Sequence, residues 1–130
     1  MVPRPVALGL TLCDYLVIEE GTRKVSLVGV LTKLTAEHFP YVPPPFFVHA
    51  ALTDGLGAAT IDLVATRLDT GEEIGLRRRT VRFVNRLGEL HVVFRINDWS
   101  FPVAGSYQIT LLVDREWVAQ RRIRILLEAE

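Results

Sequence analysis

Short runs of alternating apolar and polar residues recur along the chain, separated by turns rich in Gly, Pro, Asp and Asn. In the clearest run, residues 89–97, Leu90, Val92, Phe94 and Ile96 all fall on one side. Successive side chains of a β-strand point to opposite faces, so a period of two indicates a half-buried strand. The intervals between turns are too short for long helices. The pattern therefore predicts an all-β domain.

Eight strands follow from this pattern and its turns. They are predicted at residues 6–18, 24–34, 46–53, 58–68, 73–83, 89–97, 106–113 and 117–127. In the first strand Leu8, Leu10 and Leu12 share one side. Gly21 and Gly71 fall in hairpin turns, where glycine adopts a positive φ at little cost.

The number and length of these strands favour one architecture. Eight short strands suit a two-sheet antiparallel β-sandwich, immunoglobulin-like or of a related Greek-key type, with a short barrel as the alternative. The arginine-rich residues 73–83 predict an exposed edge strand, because charges on an edge discourage pairing with other chains. With 130 residues and no internal repeat or linker, we assign residues 1–130 to a single domain.

The number of cysteines and the hydropathy of the chain indicate the cellular compartment to expect. Cys13 is the single cysteine, so no internal disulfide can form and no oxidising compartment is required. We therefore expect a cytoplasmic protein. The competing interpretation, a lipoprotein leader ending at Cys13, would place a small residue where Leu12 stands. No segment has the length of an apolar membrane span.

The charges of the chain cancel, with fifteen basic and fifteen acidic residues. No overall field then attracts the protein to nucleic acid or to an anionic membrane. Five arginines nevertheless lie within ten residues without an acidic one among them: Arg77, Arg78, Arg79, Arg82 and Arg86. Such a cluster forms a solvated edge, or it binds an acidic ligand, a protein or nucleic acid. In an extended strand Arg77 and Arg79 face away from Arg78 and Arg82, which divides the charge between two faces.

Aromatic residues and prolines cluster in residues 39–47 and 99–101. Such loops either close the end of a sandwich core or form a rigid recognition surface. We expect them to close the core, with Tyr41, Trp99 and Trp117 remaining partly exposed. The candidate binding residues are Arg77, Arg78, Arg79, Arg82, Tyr41 and Trp99.

One tripeptide, Asp69-Thr70-Gly71, matches the catalytic sequence of aspartic proteases. That chemistry needs two carboxylates sharing a proton, in a loop where a small residue follows the glycine. Glu72 follows here, and the tripeptide also suits a hairpin turn capped by Asp69 and Thr70. We interpret it as a turn.

The sequence gives little support for a metal site or a catalytic nucleophile. His38, His49 and His91 are not at ligand spacing from one another, and solvent-facing strand positions explain His49 and His91. Cys13 lies in an apolar strand, where a buried thiol is inert. We therefore assign no catalytic residue, metal or cofactor.

Several motifs are similar to those of a known family. They are Leu12-Cys13-Asp14, the segment from Glu19 to Gly29, Phe39-Pro40, Leu68-Asp69-Thr70-Gly71 and Phe101-Pro102-x-x-Gly105-x-Tyr107. They resemble those of small uncharacterised bacterial proteins that form a domain of unknown function. The resemblance covers nearly the whole chain and implies a single compact unit without an assigned activity.

These observations favour a non-catalytic protein-interaction or assembly module, whose partner is another protein or a second copy of the chain. Two alternatives stay open. One is a small-ligand or carbohydrate binder that uses the aromatic loops. The other is an enzyme with a site assembled from scattered residues such as His91, Arg95, Asp62 and Asp98.

Overall fold

The computed structural model describes residues 4–129, in which nine β-strands form two sheets and no helix is present. The strands are β1 (Val6–Ile18), β2 (Val25–Val30), β3 (Lys33–Ala36), β4 (Phe46–Thr53), β5 (Gly57–Arg67), β6 (Glu73–Phe83), β7 (Glu89–Ile96), β8 (Gly105–Val113) and β9 (Glu116–Leu127). The predicted two-sheet β-sandwich, immunoglobulin-like or of a related Greek-key type, is confirmed. A helix long and apolar enough to cross a membrane is therefore missing from the described part of the chain.

One sheet has four strands in the order β2-β1-β4-β7, and the other has five in the order β3-β9-β8-β5-β6. β6 lies at an edge, as its arginines predicted. The strand pairs are antiparallel except β3 with β9, which run parallel.

The prediction of one continuous strand over residues 24–34 is wrong, because the chain changes sheets there. The Leu31 amide still donates to Leu12 in the four-stranded sheet (2.8 Å), while the Thr32 carbonyl accepts from Arg124 in the five-stranded sheet (3.1 Å). This crossing lets Leu31 and Leu34 both pack against the core. The change of sheet divides the predicted strand into β2 and β3, which gives nine strands instead of eight.

The core lies between the sheets and is built from alternate residues of each strand. β4 contributes Phe46, Val48, Ala50 and Leu52, all of them buried. Burying each large apolar side chain contributes about 1.5–3 kcal/mol.

A bulge in β1 changes one predicted core position. The pairing of β1 with β4 shifts register between Ala7 and Gly9, so Leu8 is the extra residue. Leu10 and Leu12 are buried, whereas Leu8 is half exposed. Leu8 therefore does not lie on the same face of β1 as Leu10 and Leu12. The extra residue of a bulge reverses the alternation of inward and outward side chains in the strand that follows it.

Two loops close one end of the core. Backbone amides and carbonyls of Tyr41 and Phe101 exchange hydrogen bonds of 2.9 and 2.8 Å. Trp99 is only 3% exposed, and its ring meets Phe46 edge to face with centroids 6.4 Å apart. The expectation that Trp99 stays partly exposed is therefore wrong. The indole occupies the space above Gly75, where a Cβ would lie 2.5 Å from it.

Candidate binding surface

The outer side of the four-stranded sheet is the surface that faces away from the core. On β1 and β4 the inward residues include Leu12 and Val48, so their neighbours Cys13 and Phe47 point outward. Cys13 pairs with Phe47 across the two strands.

Outward apolar residues are concentrated on β1 and β2 at one edge of this sheet, whereas the outward residues of β7 at the other edge are Glu89, His91, Val93 and Arg95. We define the outer apolar face as Cys13, Tyr15, Val17, Val28, Val30, Phe47, Ala51 and Val93. Cys13 and Ala51 are buried beneath their neighbours, and the other six side chains are at least partly exposed. Tyr15, Val17 and Val30 are 52%, 50% and 55% exposed. An antiparallel sheet with one solvated side normally alternates apolar-in and polar-out, and contiguous exposed apolar surface marks an interaction site. β1 carries apolar residues on both of its sides, with Cys13, Tyr15 and Val17 outward.

The outer side of the five-stranded sheet provides the contrast. Its alternation is ordinary, with polar groups at most outward positions: Thr60, Asp62, Thr66, Arg78, Thr80, Gln108, Thr110 and Arg122. Polar residues outnumber the apolar ones on this side, which include Val64, Leu76, Leu112 and Trp117.

Part of the outer apolar face lies on a projecting ribbon. β1 pairs with β4 only as far as Cys13, but with β2 as far as Ile18. Residues 14–18 and 25–29 thus form a two-stranded arm. Leu16 and Leu27, on its other side, are half buried and lie outside the core cluster. An isolated two-stranded ribbon is marginally stable in water, so this arm is suited to packing against another surface.

Two histidines meet on the same outer side, beside Val93. His49 Nε2 lies 2.8 Å from His91 Nδ1, and His91 Nε2 lies 3.2 Å from Glu89 Oε2. When His91 is neutral and its Nε2–H donates to the carboxylate, its Nδ1 lone pair accepts from Nε2–H of His49. Burial, and to a lesser extent the neighbouring His91, lower the pKa of His49.

The geometry of this histidine pair suits a hydrogen bond between the two rings and does not suit joint coordination of a metal ion. The ring centroids are 5.0 Å apart, close to the largest separation that two imidazoles joined at 2.8 Å can have. The two nitrogens therefore point at each other along one line, whereas metal ligands point at a common centre. Residues 4–129 contain no group of three or more His, Cys, Asp or Glu placed to hold a metal ion.

Sequence reasoning missed the pair because its members are 42 residues apart. Their proximity depends on the register of β4 and β7, in which His49 pairs with Val93 and Ala51 with His91. The one available signal was a histidine within the apolar run of residues 46–52.

The predicted arginine cluster is divided, as the alternation indicated. Arg77 forms an ion pair with Asp98, and Arg79 donates to the carbonyl oxygen of Val93 (2.5 Å). On the opposite side of β6, Arg78 makes two bonds to Asp62, of 2.6 and 3.2 Å.

These contacts occupy the arginines within the domain. The hydrogen bonds and charge of Asp62 raise the pKa of Arg78. Arg82 is exposed beside a shallow hollow that Glu89 and Leu90 also line.

The aromatic candidates differ in access. Trp99 is buried and offers no surface to a partner, while Tyr41 is half buried. Burial, together with Glu37, raises the pKa of Tyr41. The binding roles of Tyr41 and Arg82 stay predictions.

The scattered polar residues of the enzyme alternative do not converge. Asp62 lies on the outer side of the five-stranded sheet, paired with Arg78, and Asp98 pairs with Arg77. His91 and Arg95 lie on the outer side of the other sheet. Cys13 is fully buried, and burial raises the pKa of its thiol.

A family model matches residues 8–126. The chain belongs to the family of unknown function DUF6941. This membership confirms the resemblance to an uncharacterised domain family and assigns the DUF6941 chain no activity. Comparison with curated proteins finds no match.

Two solved structures support the fold of this DUF6941 domain, and a third resembles it more weakly. The CARDB domain of the PF1109 protein from Pyrococcus furiosus, in complex with di-metal ions, is similar with a TM-score of 0.50 and 16% identity, over 98% of this chain and 96% of that one. A β-D-glucoside glucohydrolase from Trichoderma reesei gives 0.51 and 13%, over 95% of this chain and 19% of the enzyme. An immunoglobulin-like protein (PA1606) from Pseudomonas aeruginosa gives 0.44 and 9%, over 94% and 96%. At these identities the likeness concerns the fold alone.

Proposed function

We propose that the domain is a non-catalytic, cytoplasmic protein-interaction module that docks a protein on the outer apolar face. The observation that carries this proposal is the half-exposed row of Tyr15, Val17 and Val30 on one continuous side of the sheet. Burying such side chains releases about 25 cal/mol for each Å² removed from water, and the domain itself does not cover them.

The shape of the surface favours a protein over a small molecule. Small-ligand sites are concave, whereas the outer side of a sheet is broad and open. The carbohydrate alternative relied on aromatic loops, and the buried indole of Trp99 is not available for stacking on a sugar. The cytoplasmic part of the proposal draws on Cys13, a free and buried thiol that needs no oxidising compartment.

Site-specific photo-crosslinking in the native cell tests the proposal. A photoreactive residue replaces Tyr15 in one variant and Trp117 in a matched control, because Trp117 is also an aromatic residue more than half exposed (60%) but lies on the other sheet. We expect discrete adducts from position 15, abolished by V30K, and none from position 117. Equal labelling at both positions, or none at position 15, contradicts the proposal.

A further inference from the structure

β2 is an edge strand of the four-stranded sheet, and it differs from the other three edge strands in having no protection against pairing. β6 carries arginines, β3 has only four residues, and at β7 the Arg79 guanidinium donates to the Val93 carbonyl (2.5 Å). Charges, short length and capped backbone groups all discourage a second chain from pairing with an edge. Residues 25–30 include neither a charged residue nor a proline. The edge of β2 is therefore open to another strand.

The hairpin identifies the backbone groups that face this open edge. The Glu19 amide donates to the Lys24 carbonyl on the β1 side of the strand (2.8 Å). Successive residues of an antiparallel pair bond alternately toward the partner strand and away from it. The amides and carbonyls of Val25 and Leu27 therefore point away from β1. Regular strand geometry ends at Gly29, which has a φ of 70°.

We propose that the chain forms a homodimer in which the two β2 strands pair antiparallel, about a twofold axis perpendicular to the sheet at Ser26. In this register Val25 of each copy pairs with Leu27 of the other, so the outward amides and carbonyls of both residues find partners. A register centred on Leu27 would instead pair Val25 with the irregular Gly29. Two four-stranded sheets then become one continuous sheet of eight strands.

Ser26 meets its own copy on the axis. A symmetric contact brings the axial residue against itself, so a charged or bulky side chain there would repel its copy. Ser26 is small, uncharged and exposed. Its Cα atoms would lie about 4.5 Å apart, as in other antiparallel pairs that do not exchange hydrogen bonds.

The dimer also supplies the strands that the arm lacks. Residues 14–18 and 25–29 form a two-stranded ribbon in one copy, and two such ribbons joined through β2 form a sheet of four strands. Three or more strands are needed for independent stability. Val25 and Leu27 are half buried, and in the dimer each lies beside the other residue of the second copy. This cross-strand contact removes further apolar surface from water.

Charge complementarity supports the same register. The Asp14 carboxylate reaches across from β1 and lies above Gly29, where it occupies the space of a Cβ. The register places Arg23 of one copy at the level of Gly29 of the other, beside that carboxylate, and the twofold axis repeats the contact. Within residues 4–129, Arg23 and Asp14 form no ion pair of their own. Complementary charges set the register of an interface.

This dimer goes beyond the proposed function and does not depend on it. A twofold axis perpendicular to the sheet keeps the outer sides of both copies on one side. Tyr15, Val17 and Val30 therefore stay open to a partner protein. Since the outward apolar residues are concentrated on β1 and β2, the two outer apolar faces adjoin at the centre of the joined sheet.

Disulfide trapping tests the axis. In S26C the two new thiols face each other, at a Cα separation within the range that a disulfide spans. K24C is the matched control, because Lys24 is also exposed and lies on the same side of the arm, but away from its own copy. We expect mild oxidation to link S26C into a dimer and to leave K24C unlinked. Equal linkage of both variants, or none of S26C, overturns the proposed axis.

Proline substitution tests the hydrogen bonds between the copies. V25P removes an amide that faces the open edge and keeps the bonds to β1. T35P is the matched control on the β3 edge: the Ala36 carbonyl accepts from Glu128 of the chain that continues β9, so the neighbouring Thr35 amide points away from β9. Sedimentation velocity should show a wild-type dimer, a dissociation constant raised at least about tenfold in V25P, and no change in T35P. A wild-type monomer, or a V25P dimer as tight as the wild type, overturns the proposal.

Charge exchange tests the register without altering the backbone bonds. D14R and R23D each oppose like charges across the interface and should raise the dissociation constant at least about tenfold. An equimolar mixture of the two variants restores both ion pairs, so we expect a heterodimer. No recovery in the mixture overturns the proposed register. Near-UV circular dichroism of each variant establishes that it is folded.

The outcomes also separate this inference from the proposed function. A monomeric wild-type protein that crosslinks from position 15 to a different protein overturns the dimer and leaves the proposed function standing. A dimer trapped through S26C, without crosslinks to a different protein, confirms the dimer and contradicts the proposed function.

Discussion

The Nε2 atom of His49 lies 2.8 Å from the Nδ1 atom of His91, although the two residues belong to different strands. His49 is only 8% exposed, and the far nitrogen of His91 is held by Glu89. Cys13, Tyr15 and Arg95 are the other titratable or charged groups on the outward side of the neighbouring strands. A proton added to this pair must be accommodated in a partly dehydrated site.

Stability should therefore depend on pH through His49. Its pKa is lowered from 6.5 in the folded chain, so the unfolded chain binds the proton more readily. The stabilisation is fully present above about pH 6.5 and is lost as the pH falls below that value. Urea unfolding between pH 5 and pH 8 measures this as a midpoint that rises with pH.

Two variants identify the group responsible. H49Q should flatten the pH dependence, because it removes the buried imidazole. H38Q, in the exposed loop before β4, should preserve it. An unchanged slope in H49Q would show that another group controls the transition.

Tyr107 fixes the corner that leads into β8. Its hydroxyl donates to the Val103 carbonyl at 2.6 Å and accepts from the Val103 amide at 3.3 Å, while the side chain is fully buried. Y107F should lower the free energy of unfolding by about 1–3 kcal/mol, since it leaves buried backbone groups unpaired. Urea denaturation measures the loss. Y15F, at the half-exposed Tyr15, should change little, and equal effects in both variants would contradict this account.

Gly75 is predicted to tolerate no side chain. A Cβ there would lie 2.5 Å from the Trp99 ring. G75A should cost about 1–3 kcal/mol and alter the near-UV circular dichroism of Trp99, because overpacking forces a buried ring to move. G9A is the control, since a Cβ at Gly9 meets nothing within 4 Å. Stability of G75A equal to that of the wild type would refute the contact.

The β8–β9 turn offers a stabilising change. Asp114 and Arg115 have φ values of 48° and 69°, in the left-handed region that glycine adopts without strain. R115G should raise the free energy of unfolding by up to about 1 kcal/mol. R122G, in the middle of β9, should lower it by about 0.5–1 kcal/mol. Thermal melts should show a melting temperature above that of the wild type for R115G and below it for R122G. A lower melting temperature for R115G would contradict this prediction.

The sequence predicted features that depend on neighbouring residues. Alternation identified the strands, and the Asp69-Thr70-Gly71 turn has Gly71 at a φ of 76°. The opposite orientations of Arg77 and Arg78 also followed from a period of two, because nothing beyond the strand itself decides them.

Features that depend on distant pairing could not be predicted. The sheet change after Val30 requires β9. Trp99, in the loop after β7, is buried because Gly75 in β6 leaves room for its ring. The His49–His91 contact requires the register of β4 and β7. Only the folded chain brings these partners together.

The parallel pairing of β3 with β9 has a consequence for biosynthesis. Lys33 pairs with Arg124 and Ala36 with Leu127. β3 therefore cannot pair until β9, the last strand, has been synthesised. The strands of the four-stranded sheet are all translated by Ile96, well before β9 leaves the ribosome. The nascent chain then presents apolar residues on both sides of an unfinished layer, a state that aggregates readily and that chaperones protect.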